Sequence, residues 1–491
     1  MEVDISANGI IICANRGPVS FVPSAQGAHR WRTGPNGLVA VVLPALRAFG
    51  GSWIFAAETA ADRRVAESLR RGFPLPLLED GVALHPVAVP PDAYREYYEE
   101  FAVGLLGMLF HYLFPMPGVL RDGLDLNKSW PAYRKVNEIF ARQIVETHRD
   151  SPVLVQDYHL LLVADEVRRL DSGFGQPLIY FHHVAWCQSD YFGMIPSSLR
   201  SHILRAMTSY DVVAFHSSRW ADSFMACCDR YLDGVICEPG VIRHDRGETR
   251  VAISPAAIDR DHVLEGARHP EFQVWQQKLR VMAGGRWTLG RVERADLWKN
   301  PLRGLLAVDE FLRTTPDAEG RAWFPVLLSP TRTWRSDYRS YLTQVQDTAD
   351  RINATHEGIQ GGRPVEIFTA EGTFESDRAL ALAIMSVADA MIANPAFDGL
   401  NLIPKEAAIV AEGDPVVIVS ENAGVYDELA GIALKVNPFD VGDTARALRT
   451  AFRMPPEERR RRADALRARV SSRTSRMWIE EQLSPTRTST A

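Results

Sequence analysis

The sequence of 491 residues has little cysteine, and no cysteine pattern typical of a metal site or a disulfide framework. The five cysteines are Cys13, Cys187, Cys227, Cys228 and Cys237. They include no CxxC pair and no zinc-ligand spacing, so we expect reduced, mostly buried thiols in a cytoplasmic protein.

Long hydrophobic runs are also missing. The longest apolar stretch, residues 101–114, is too short to span a bilayer and contains His111, so it predicts a buried helix. The N-terminal segment is acidic before its first apolar run, which is the reverse of a secretory signal. The sequence therefore predicts a soluble protein with no membrane partner.

Lysine is scarce, because only six lysines stand among the 55 basic residues. With 61 acidic residues the formal net charge is −6, and a net acidic chain is a poor nucleic-acid binder by bulk charge. The arginine-rich run 457–462 continues at helical spacing with Ala and Leu, which favours a solvated helix face over a nucleic-acid patch. Any site for an anion must therefore be formed by a local cluster of cations, because the overall charge of the chain does not attract anions.

Several common catalytic motifs are absent: the sequence has no Walker A motif, HExxH, strand-linked GxGxxG or GxSxG. The sequence therefore contains none of the motifs that usually identify nucleoside triphosphatases, zincins or α/β-hydrolases. The length predicts roughly two to four domains, enough to bury large cores without disulfides or metals.

Short apolar runs alternate with helical patterns of about 10 to 15 residues, which predicts an α/β protein with parallel sheets covered on both faces. The clearest runs are 10–13, 53–56, 153–156, 178–181, 212–215, 289–292, 326–328, 365–368, 391–393 and 416–419. These are too many strands for one open sheet, so we predict two doubly wound, Rossmann-like domains over residues 1–254 and 255–475. The tail, 476–491, is expected to pack partly on the first domain near Trp478 and to end in disorder.

Ligands of open α/β sheets bind beyond the carboxyl ends of the strands, and here polar residues directly follow the apolar runs. The segments are Asn15-Arg16-Gly17, Asp157-Tyr158-His159, His182-His183, Glu293-Arg294 and Asp398-Gly399-Leu400-Asn401. We therefore expect the two halves to face each other across one cleft.

The segment from Asp398 to Glu406 follows a strand and runs into an apolar helical pattern. It predicts a loop whose backbone N–H groups face a phosphate at a helix N-terminus, while the two carboxylates accept sugar hydroxyls on opposite sides of a diphosphate. An ordinary strand–loop–helix connection with a capping Asp explains the same spacing.

Four cations follow predicted strands. Arg294 and Lys299, five residues apart, could neutralise a departing diphosphate without a metal, although two surface cations are the alternative. Arg16 and Arg332 are candidate binding residues for an anionic acceptor, since guanidinium groups bind phosphate bidentately. Tyr98, considered alone, is more typical of a packing aromatic.

A carboxylate and two imidazoles follow neighbouring strands of the first half. Asp157 with His182 or His183 could bind hydroxyls or move a proton, although a lone histidine is more often structural. Consecutive residues of an extended segment point to opposite faces, so only one of the two histidines is expected to reach the cleft.

Together these segments resemble the trehalose-6-phosphate synthases, a family of retaining glycosyltransferases with the two-Rossmann-domain B-type fold. The similar segments keep the family's order and spacing: ANRGPVSF, VQDYHLLLV, YFHHVAW, FHSSRWADSF, VERADLWKN, SPTRTWRSDY, FDGLNLIPKE, ENAGVYDEL and VNPFD. The resemblance implies transfer of a glucosyl-like unit from a nucleotide sugar to a sugar phosphate, giving trehalose 6-phosphate or a close analogue. It implies UDP or GDP as product and no metal or other cofactor. We also expect a homo-oligomer.

The resemblance assigns roles to individual residues. The catalytic residues it implies are Arg294, Lys299, Asp157 and His183. The acceptor-binding residues are Arg16, Tyr98, Asp157 and Arg332. The donor-binding residues are Asn36, Gly37, Asp398, Gly399, Leu400, Asn401, Leu402 and Glu406. The leaving diphosphate, held by Arg294 and Lys299, would help deprotonate the acceptor as it attacks on the same face, with retention at the anomeric carbon.

The family's H-I-P-F-P segment reads His183-Val184-Ala185-Trp186-Cys187 here, and three single positions also depart from the family pattern. Asn36 replaces a glycine that lets backbone approach phosphate, Phe397 replaces an arginine beside the donor sugar, and Gly107 falls near an aromatic of the acceptor-phosphate pocket. These changes suggest a retained nucleotide with an altered sugar or acceptor. They support an alternative, a pseudo-glycosyltransferase that couples a valienol-type nucleotide-activated cyclitol to an amino-cyclitol or amino-sugar phosphate through a C–N bond. A silent regulatory paralogue is disfavoured because the diphosphate cations are retained.

Overall fold

The computed structural model describes residues 9–22, 30–33, 37–72, 76–78, 81–114, 125–147, 150–356, 362–370 and 374–484. The chain divides into two compact units. The first unit is Met1–Ala256 with Ser475–Ala491, and the second is Ala257–Thr474. The predicted boundary after residue 254 lies two residues before this division.

The first unit contains a nine-stranded sheet in the order β5-β4-β1-β6-β7-β8-β11-β10-β9. Its strands are β1 Ile10–Ala14, β4 Gly51–Ala56, β5 Ala83–Val87, β6 Val153–Gln156, β7 Leu178–His182, β8 Val212–Phe215, β9 Ile236–Glu238, β10 Val241–His244 and β11 Gly247–Ile253. The strands from β5 to β11 pair in parallel, and all five residues of β1 are buried. The continuous apolar runs thus form the buried centre of the sheet, as predicted.

Two antiparallel elements of this unit were not predicted. Strands β9 and β10 extend the sheet edge by antiparallel pairing, and β2 Val19–Val22 pairs antiparallel with β3 Arg30–Thr33. Neither element is a continuous apolar run, because each has water on one side, as the exposed Ile236 and Glu238 of β9 illustrate. A search for unbroken apolar segments therefore passes over them.

Helices cover the sheet of the first unit. They are α1 Gly37–Phe49, α2 Ala60–Arg70, α3 Pro91–Arg95, a π-helix Glu96–Gly107, α4 Met108–Phe110, α5 Leu126–Thr147, α6 Val163–Leu170, α7 Ser189–Phe192, α8 Ser197–Met207 and α9 Ser218–Tyr231, with a 3₁₀ turn at Tyr158–Leu160. The apolar stretch 101–114 enters the π-helix and α4, and Phe101 and Phe110 are fully buried. The predicted buried helix is present, but its first part has π geometry, which is often found at functional sites.

The last helix, α19 Ser475–Leu483, belongs to the first unit. The fully buried Trp478 donates its indole N–H to the backbone oxygen of Ser254 at 3.1 Å and packs edge-on against Phe181 at 5.0 Å. Arg476 donates to the backbone oxygen of Ala48 at 3.1 Å. This helix is therefore anchored by packing and by hydrogen bonds. The expected disorder at the extreme end concerns residues 485–491, which lie outside the described residues.

We expect Trp478→Ala to lower the free energy of unfolding by about 4 kcal/mol, because it removes a large buried ring and leaves a cavity. Chemical denaturation followed by circular dichroism measures the change. Met477→Ala, at a neighbouring side chain that is 41% exposed, is the matched control and should change stability by less than about 0.5 kcal/mol. Equal stabilities for the two variants would contradict the anchoring role of Trp478.

The second unit contains a six-stranded parallel sheet in the order β14-β13-β12-β15-β16-β17. Its strands are β12 Trp287–Arg294, β13 Ala322–Ser329, β14 Val365–Thr369, β15 Ala390–Ala393, β16 Val416–Ser420 and β17 Leu434–Val436. Its helices are α10 Arg260–Gly266, α11 Pro270–Ala283, α12 Pro301–Thr314, α13 Ser336–His356, α14 Phe374–Val387, α15 Ile403–Val410, α16 Val425–Leu429, α17 Val441–Phe452 and α18 Pro456–Ser471, with 3₁₀ turns at Leu297–Lys299 and Pro316–Ala318. Parallel order with intervening helices gives the predicted doubly wound architecture.

Three further predictions can be compared with the structure. All five cysteines are free, and four of them are buried. In α18, Glu458 pairs with both Arg461 and Arg462, so part of the basic run forms ion pairs on a helix surface. Within the described ranges, no helix is long and apolar enough to cross a membrane.

Candidate functional site

In the second unit, the predicted diphosphate lysine and the predicted donor carboxylate form an ion pair. Lys299 Nζ lies 2.6 Å from Asp398 Oδ2, and the two side chains are only 17% and 10% exposed. Lys299 ends the 3₁₀ turn after β12, while Asp398 lies in the loop after the neighbouring strand β15. Asn401 Nδ2 also donates to Asp398 Oδ2, at 3.3 Å. Asp398 therefore faces a cation instead of capping a helix.

A second carboxylate of this unit, Asp296, holds two arginines. Arg294 Nη2 lies 2.7 Å from Asp296 Oδ2, and Arg332 Nη1 donates to Asp296 Oδ1. The Asp296 side chain is fully buried, whereas that of Arg294 is 54% exposed. The Arg332 guanidinium also lies 5.1 Å from the ring centre of Trp298. Arg332, predicted for the acceptor, is thus a neighbour of the predicted diphosphate arginine.

The buried Arg291 forms hydrogen bonds that stabilise the turn carrying these cations. Its Nη2 donates to the backbone oxygen of Lys299 at 2.7 Å, and its Nη1 donates to Asn394 Oδ1 at 2.6 Å. A Cβ at Gly304 of α12 would lie 2.2 Å from Arg291 Nη1, so only glycine leaves room for the guanidinium there. Packing and hydrogen bonds therefore fix the backbone at Lys299.

Glu406, the predicted ribose ligand, lies in the first turn of α15 and is buried. Its Oε2 accepts from Arg378 Nη1 of α14 at 2.8 Å. The Glu406 carboxylate holds the pKa of the Arg378 guanidinium above its usual value, although burial acts in the opposite direction. Arg378 Nη2 is buried and has no hydrogen-bond partner among the residues that the structure describes. A ligand bound beside Glu406 would therefore contact a charged pair in which Arg378 Nη2 is still available as a donor.

In the first unit, Arg16 and Tyr98 are in direct contact. Arg16, two residues after β1, donates from Nη2 to the Tyr98 hydroxyl at 3.0 Å, and its Nε lies 3.6 Å from Glu58 Oε1. The next residue is Gly17, where a Cβ would lie 2.4 Å from the Phe55 ring. Glycine therefore lets the chain after β1 pass directly over this ring, which places Arg16.

Tyr98 of the π-helix lies between two other rings. It stacks on Tyr94 at 5.5 Å and on His159 at 5.6 Å. The Tyr94 hydroxyl donates to Glu58 Oε1 at 3.0 Å, so Glu58 links the tyrosines to Arg16. His159 in turn has its Nδ1 3.9 Å from Asp157 Oδ2. Three of the four predicted acceptor residues, Arg16, Tyr98 and Asp157, are thus joined into one polar cluster at the carboxyl ends of β1, β4 and β6, whereas Arg332 belongs to the second unit.

The two adjacent histidines have different environments. His182 is fully buried. Its Nδ1 is hydrogen-bonded to the Tyr180 hydroxyl at 2.8 Å, and its Nε2 is hydrogen-bonded to the backbone oxygen of Ala185. His183 is half-buried, and its Nε2 lies 2.8 Å from Gln156 Oε1, which accepts from the ring. Burial lowers the pKa of His183 to about 3, so its imidazole is neutral at physiological pH. The backbone N–H of His183 points toward Asp157 Oδ1 at 3.4 Å.

Left-handed backbone is concentrated at these positions. Of the described non-glycine residues, five have positive φ: Tyr112, Asp157, Asn300, Arg332 and Asn401. Asp157 has φ 70°, Arg332 has φ 48° and Asn401 has φ 76°. Such conformations persist where the surrounding structure imposes them, and they cluster at functional sites. Three predicted site residues therefore share an unusual backbone.

The three departures from the family pattern have different outcomes. Asn36 lies outside the described residues, while its predicted partner Gly37 begins α1. A Cβ at Gly107 would lie 3.3 Å from the Tyr158 hydroxyl, so this tyrosine already occupies the space beside the glycine. Phe397 packs against Phe439 at 6.0 Å, which gives the loop before Asp398 an aromatic neighbour.

Sequence reasoning missed several polar partners of the site. Glu58 follows β4, so the strand-end rule could have found it, and Tyr94 lies four residues before Tyr98. Asp296 lies inside the segment that carries both predicted diphosphate cations, Arg294 and Lys299. Arg378 lies within a helix and has no local signal. In the described part of the chain, no group of three or more His, Cys, Asp or Glu residues is placed to hold a metal ion.

Comparisons with known proteins identify the family and the fold. The family model described as glycosyltransferase family 20 matches residues 8–487. A bifunctional trehalose-6-phosphate synthase/phosphatase of Thermoproteus tenax is 30% identical over 96% of this chain and 62% of its own length. A probable UDP-forming alpha,alpha-trehalose-phosphate synthase of Arabidopsis thaliana is 26% identical over 96% of this chain and 56% of its own. The chain thus spans less than two thirds of the length of either relative.

The solved structure named "Trehalose-6-phosphate from E. coli bound with UDP-2-fluoro glucose" is similar with a TM-score of 0.82. Its identity is 22%, and the similarity covers 98% of this chain and 99% of that one. This similarity confirms the predicted fold, two Rossmann-like domains of the B type. The family match extends over almost the whole sequence, so this chain belongs to glycosyltransferase family 20.

Proposed function

We propose that this protein transfers a glucosyl unit from a nucleotide sugar to a sugar phosphate, with trehalose 6-phosphate as the product. The observation that carries the proposal is the cation set of the second unit. Arg294, Lys299 and Arg332 lie at the ends of neighbouring parallel strands, each paired with a buried carboxylate. Membership in glycosyltransferase family 20 and the names of the two relatives support the same activity.

The donor is assigned to the second unit. Arg294 and Lys299 would exchange part of their carboxylate contacts for the diphosphate oxygens, which carry more charge and accept more hydrogen bonds. Asp398, released from part of its ion pair, would accept a hydroxyl of the donor sugar. Glu406 would accept ribose hydroxyls through the oxygen that Arg378 leaves available. Gly399, Leu400, Asn401 and Leu402 would supply backbone N–H groups.

The acceptor is assigned mainly to the polar cluster of the first unit. Arg16 and the Tyr98 hydroxyl would hold the phosphate, with Arg332 as a further cation. Asp157 and His183 would bind acceptor hydroxyls. Because burial keeps the His183 imidazole neutral and its Nε2–H is donated to Gln156, its Nδ1 can accept a hydrogen bond from a hydroxyl without adding positive charge.

The proposed step needs no group beyond donor, acceptor and protein. The bond between the anomeric carbon and the diphosphate oxygen breaks, and a bond from that carbon to the acceptor hydroxyl oxygen forms on the same face. The hydroxyl proton passes to the departing diphosphate, whose charge Arg294 and Lys299 neutralise. UDP or GDP leaves as the second product. No cofactor is proposed; a cytoplasmic location and a homo-oligomer stay predictions from the sequence.

The test is to incubate the purified protein with UDP-, GDP- or ADP-glucose and glucose 6-phosphate. We expect release of one nucleoside diphosphate for each disaccharide phosphate detected by mass spectrometry, and no release when the acceptor is omitted. Nucleoside diphosphate binding with no transfer to any hexose phosphate would contradict the proposal. A C–N-linked product from an activated valienol donor and an amino-sugar phosphate would replace it with the cyclitol alternative.

Arg16→Ala tests the acceptor assignment. We expect KM for the sugar phosphate to rise by about tenfold or more, because a charged hydrogen bond to phosphate contributes roughly 1.5–3 kcal/mol. KM for the nucleotide sugar should stay within about twofold, since the donor is assigned to other residues. Arg63→Ala is a matched control, because Arg63 donates to the backbone oxygen of Glu58 at 2.8 Å but has no assigned substrate contact. A larger change in the donor KM than in the acceptor KM would refute the assignment.

A further inference from the structure

The side chain of Gln156 reaches the ring of His183 because of the register of two neighbouring parallel strands. Gln156 is the last residue of β6 and pairs with Phe181 of β7. Paired residues on adjacent strands point to the same face of a sheet, and so do residues two positions apart along an extended segment. His183 lies two positions after Phe181, so it shares a face with Gln156, whereas His182 points to the other face.

Hydrogen bonds join the two strand ends at this point. The backbone N–H of Asp157 donates to the backbone oxygen of Phe181 at 2.8 Å. The ring Nε2–H of His183 donates to Gln156 Oε1 at 2.8 Å, and the backbone N–H of His183 points toward Asp157 Oδ1 at 3.4 Å. The ring and the backbone of His183 are therefore both connected to the end of β6.

Aromatic packing restricts the His183 ring. Three rings contact it, at centre-to-centre distances of 4.7, 5.3 and 6.1 Å: Phe181, His216 and Trp478. Trp478, in α19, is itself fully buried. These contacts hinder rotation of the imidazole, so Nε2 stays directed at Gln156.

The hydrogen bond to Gln156 decides which nitrogen of His183 carries the proton. A neutral imidazole has one N–H donor and one unprotonated acceptor, and the partner of one nitrogen sets the state of the other. Gln156 Oε1 is a carbonyl oxygen, which only accepts, so the proton lies on Nε2. Burial lowers the pKa of His183 to about 3, so the ring takes no second proton at physiological pH. Nδ1 makes no hydrogen bond with a described residue and keeps its lone pair.

Gln156 makes this hydrogen bond at a cost in stability. The residue is fully buried, and its Nε2 has no hydrogen-bond partner among the described residues. A buried amide donor without a partner is less favourable than an apolar side chain of similar shape. The hydrogen bond to His183 is thus the interaction that gives glutamine an advantage at this position.

We propose that Gln156 is a positioning residue that holds His183 as the Nε2–H tautomer, so that Nδ1 accepts a hydrogen bond from a hydroxyl of the bound sugar. The inference rests on the proposed function, because His183 is assigned there to acceptor hydroxyls. It adds a rule for the substrate. The group that faces His183 must donate a hydrogen bond, as a hydroxyl or an amine does, and an ether or a fluorine cannot replace it.

Nitrogen NMR of protein isotope-labelled at the histidine rings tests the tautomer directly. The His183 signals are identified by their loss in His183→Gln. We expect Nδ1 to give the signal of an unprotonated nitrogen and Nε2 that of a protonated one. A protonated Nδ1 in the wild type would overturn the proposal. Because this measurement needs no turnover, the expected tautomer in a protein that transfers to no hexose phosphate would contradict the proposed function and keep the role of Gln156.

Gln156→Glu tests the consequence for activity, because glutamate keeps the accepting oxygen and its charge favours a further proton on the pair. That proton leaves Nδ1 protonated in both possible arrangements, imidazolium beside carboxylate or carboxylic acid donating to Nε2. We expect the ratio of variant to wild-type kcat/KM to fall by about tenfold for each unit of pH below the new pKa, which NMR titration measures. The other titratable groups around the ring, Asp157, His182 and His216, are the same in both proteins. A ratio that stays constant while Nδ1 becomes protonated would overturn the proposal.

Two further variants complete the test. Gln143→Glu is the matched control, because the Gln143 amide bonds to Thr147 on the surface of α5 at 3.3 Å, and its kcat/KM should follow that of the wild type at every pH. If Gln156→Glu does not fold, Gln156→Leu removes the amide and keeps a similar shape. Signals of the Nδ1–H tautomer should then appear beside those of the Nε2–H tautomer. Complete retention of the Nε2–H tautomer would overturn the role of Gln156.

Deoxyfluoro analogues of glucose 6-phosphate test the rule for the substrate. Fluorine has nearly the size of a hydroxyl but cannot donate, so replacing the hydroxyl that faces His183 should lower wild-type kcat/KM by about fivefold or more. The same analogue should show no such loss with Gln156→Glu at acid pH, where Nδ1 cannot accept. Equal losses in the two proteins for every analogue would overturn the assignment of a hydroxyl to Nδ1.

Discussion

Replacing Arg294 with alanine is expected to lower kcat by about 10²- to 10³-fold, the range found when one donor to a developing anion is removed. The Arg294 side chain is 54% exposed at the end of β12, so its loss should remove charge from the proposed diphosphate site with little loss of packing. Asp296 keeps Arg332 as a partner in this variant. The free energy of unfolding should therefore change by less than about 1 kcal/mol.

Steady-state kinetics and denaturant titration of the same preparation check both parts of this expectation. Arg313→Ala is the matched control: Arg313 is an exposed arginine of the same unit, paired with Glu310 on α12. It should retain kcat within twofold. An Arg294→Ala enzyme with normal turnover would remove Arg294 from the proposed site.

Replacing Lys299 with alanine is expected to impair both turnover and folding. The Lys299–Asp398 pair is largely buried, and removing one partner leaves an uncompensated carboxylate, which costs about 3 kcal/mol of stability. The proposed diphosphate site also loses a cation, so kcat should fall by about 10²-fold or more. The two effects have different causes and can be separated.

The double variant Lys299→Met with Asp398→Asn makes that separation. It removes both charges, so stability should recover toward the wild-type value while kcat stays low. Lys435→Ala serves as the control, because this exposed lysine of the same unit pairs with Glu421 at 3.4 Å. Recovery of activity in the double variant would show that Lys299 acts only on the fold.

The sequence allowed the fold to be predicted wherever a strand is buried on both faces. Runs such as 10–13 and 416–419 are continuous and apolar because helices cover both sides of the sheet. The antiparallel edge at β9 and β10 could not be found in this way, since its residues alternate between protein and water. The π geometry of residues 96–107 was likewise not predicted, because its apolar spacing resembles that of an ordinary helix.

For the candidate site, the position of residues at strand ends predicted the candidates themselves but not their hydrogen-bond and ion-pair partners. Arg16, Asp157 and Arg294 all follow or end strands of parallel sheets, and the topology places them at the carboxyl ends. The ion pair of Lys299 with Asp398 joins residues 99 positions apart, and the pair of Glu406 with Arg378 joins residues 28 positions apart. Spacing along the chain carries no information about such pairs, because they depend on the order of strands and helices in space.

The anchoring of α19 has a consequence for the order in which the protein matures during synthesis. The slot for Trp478 is built from residues of the first 256, but the tryptophan is translated only after the whole second unit, residues 257–474. At about 10 residues per second, the nascent first unit would wait on the order of 20 s with this slot unfilled. A ribosome-bound intermediate should therefore expose the apolar surface around Phe181 until the final helix emerges, and chaperones that recognise such surfaces would have that interval in which to bind.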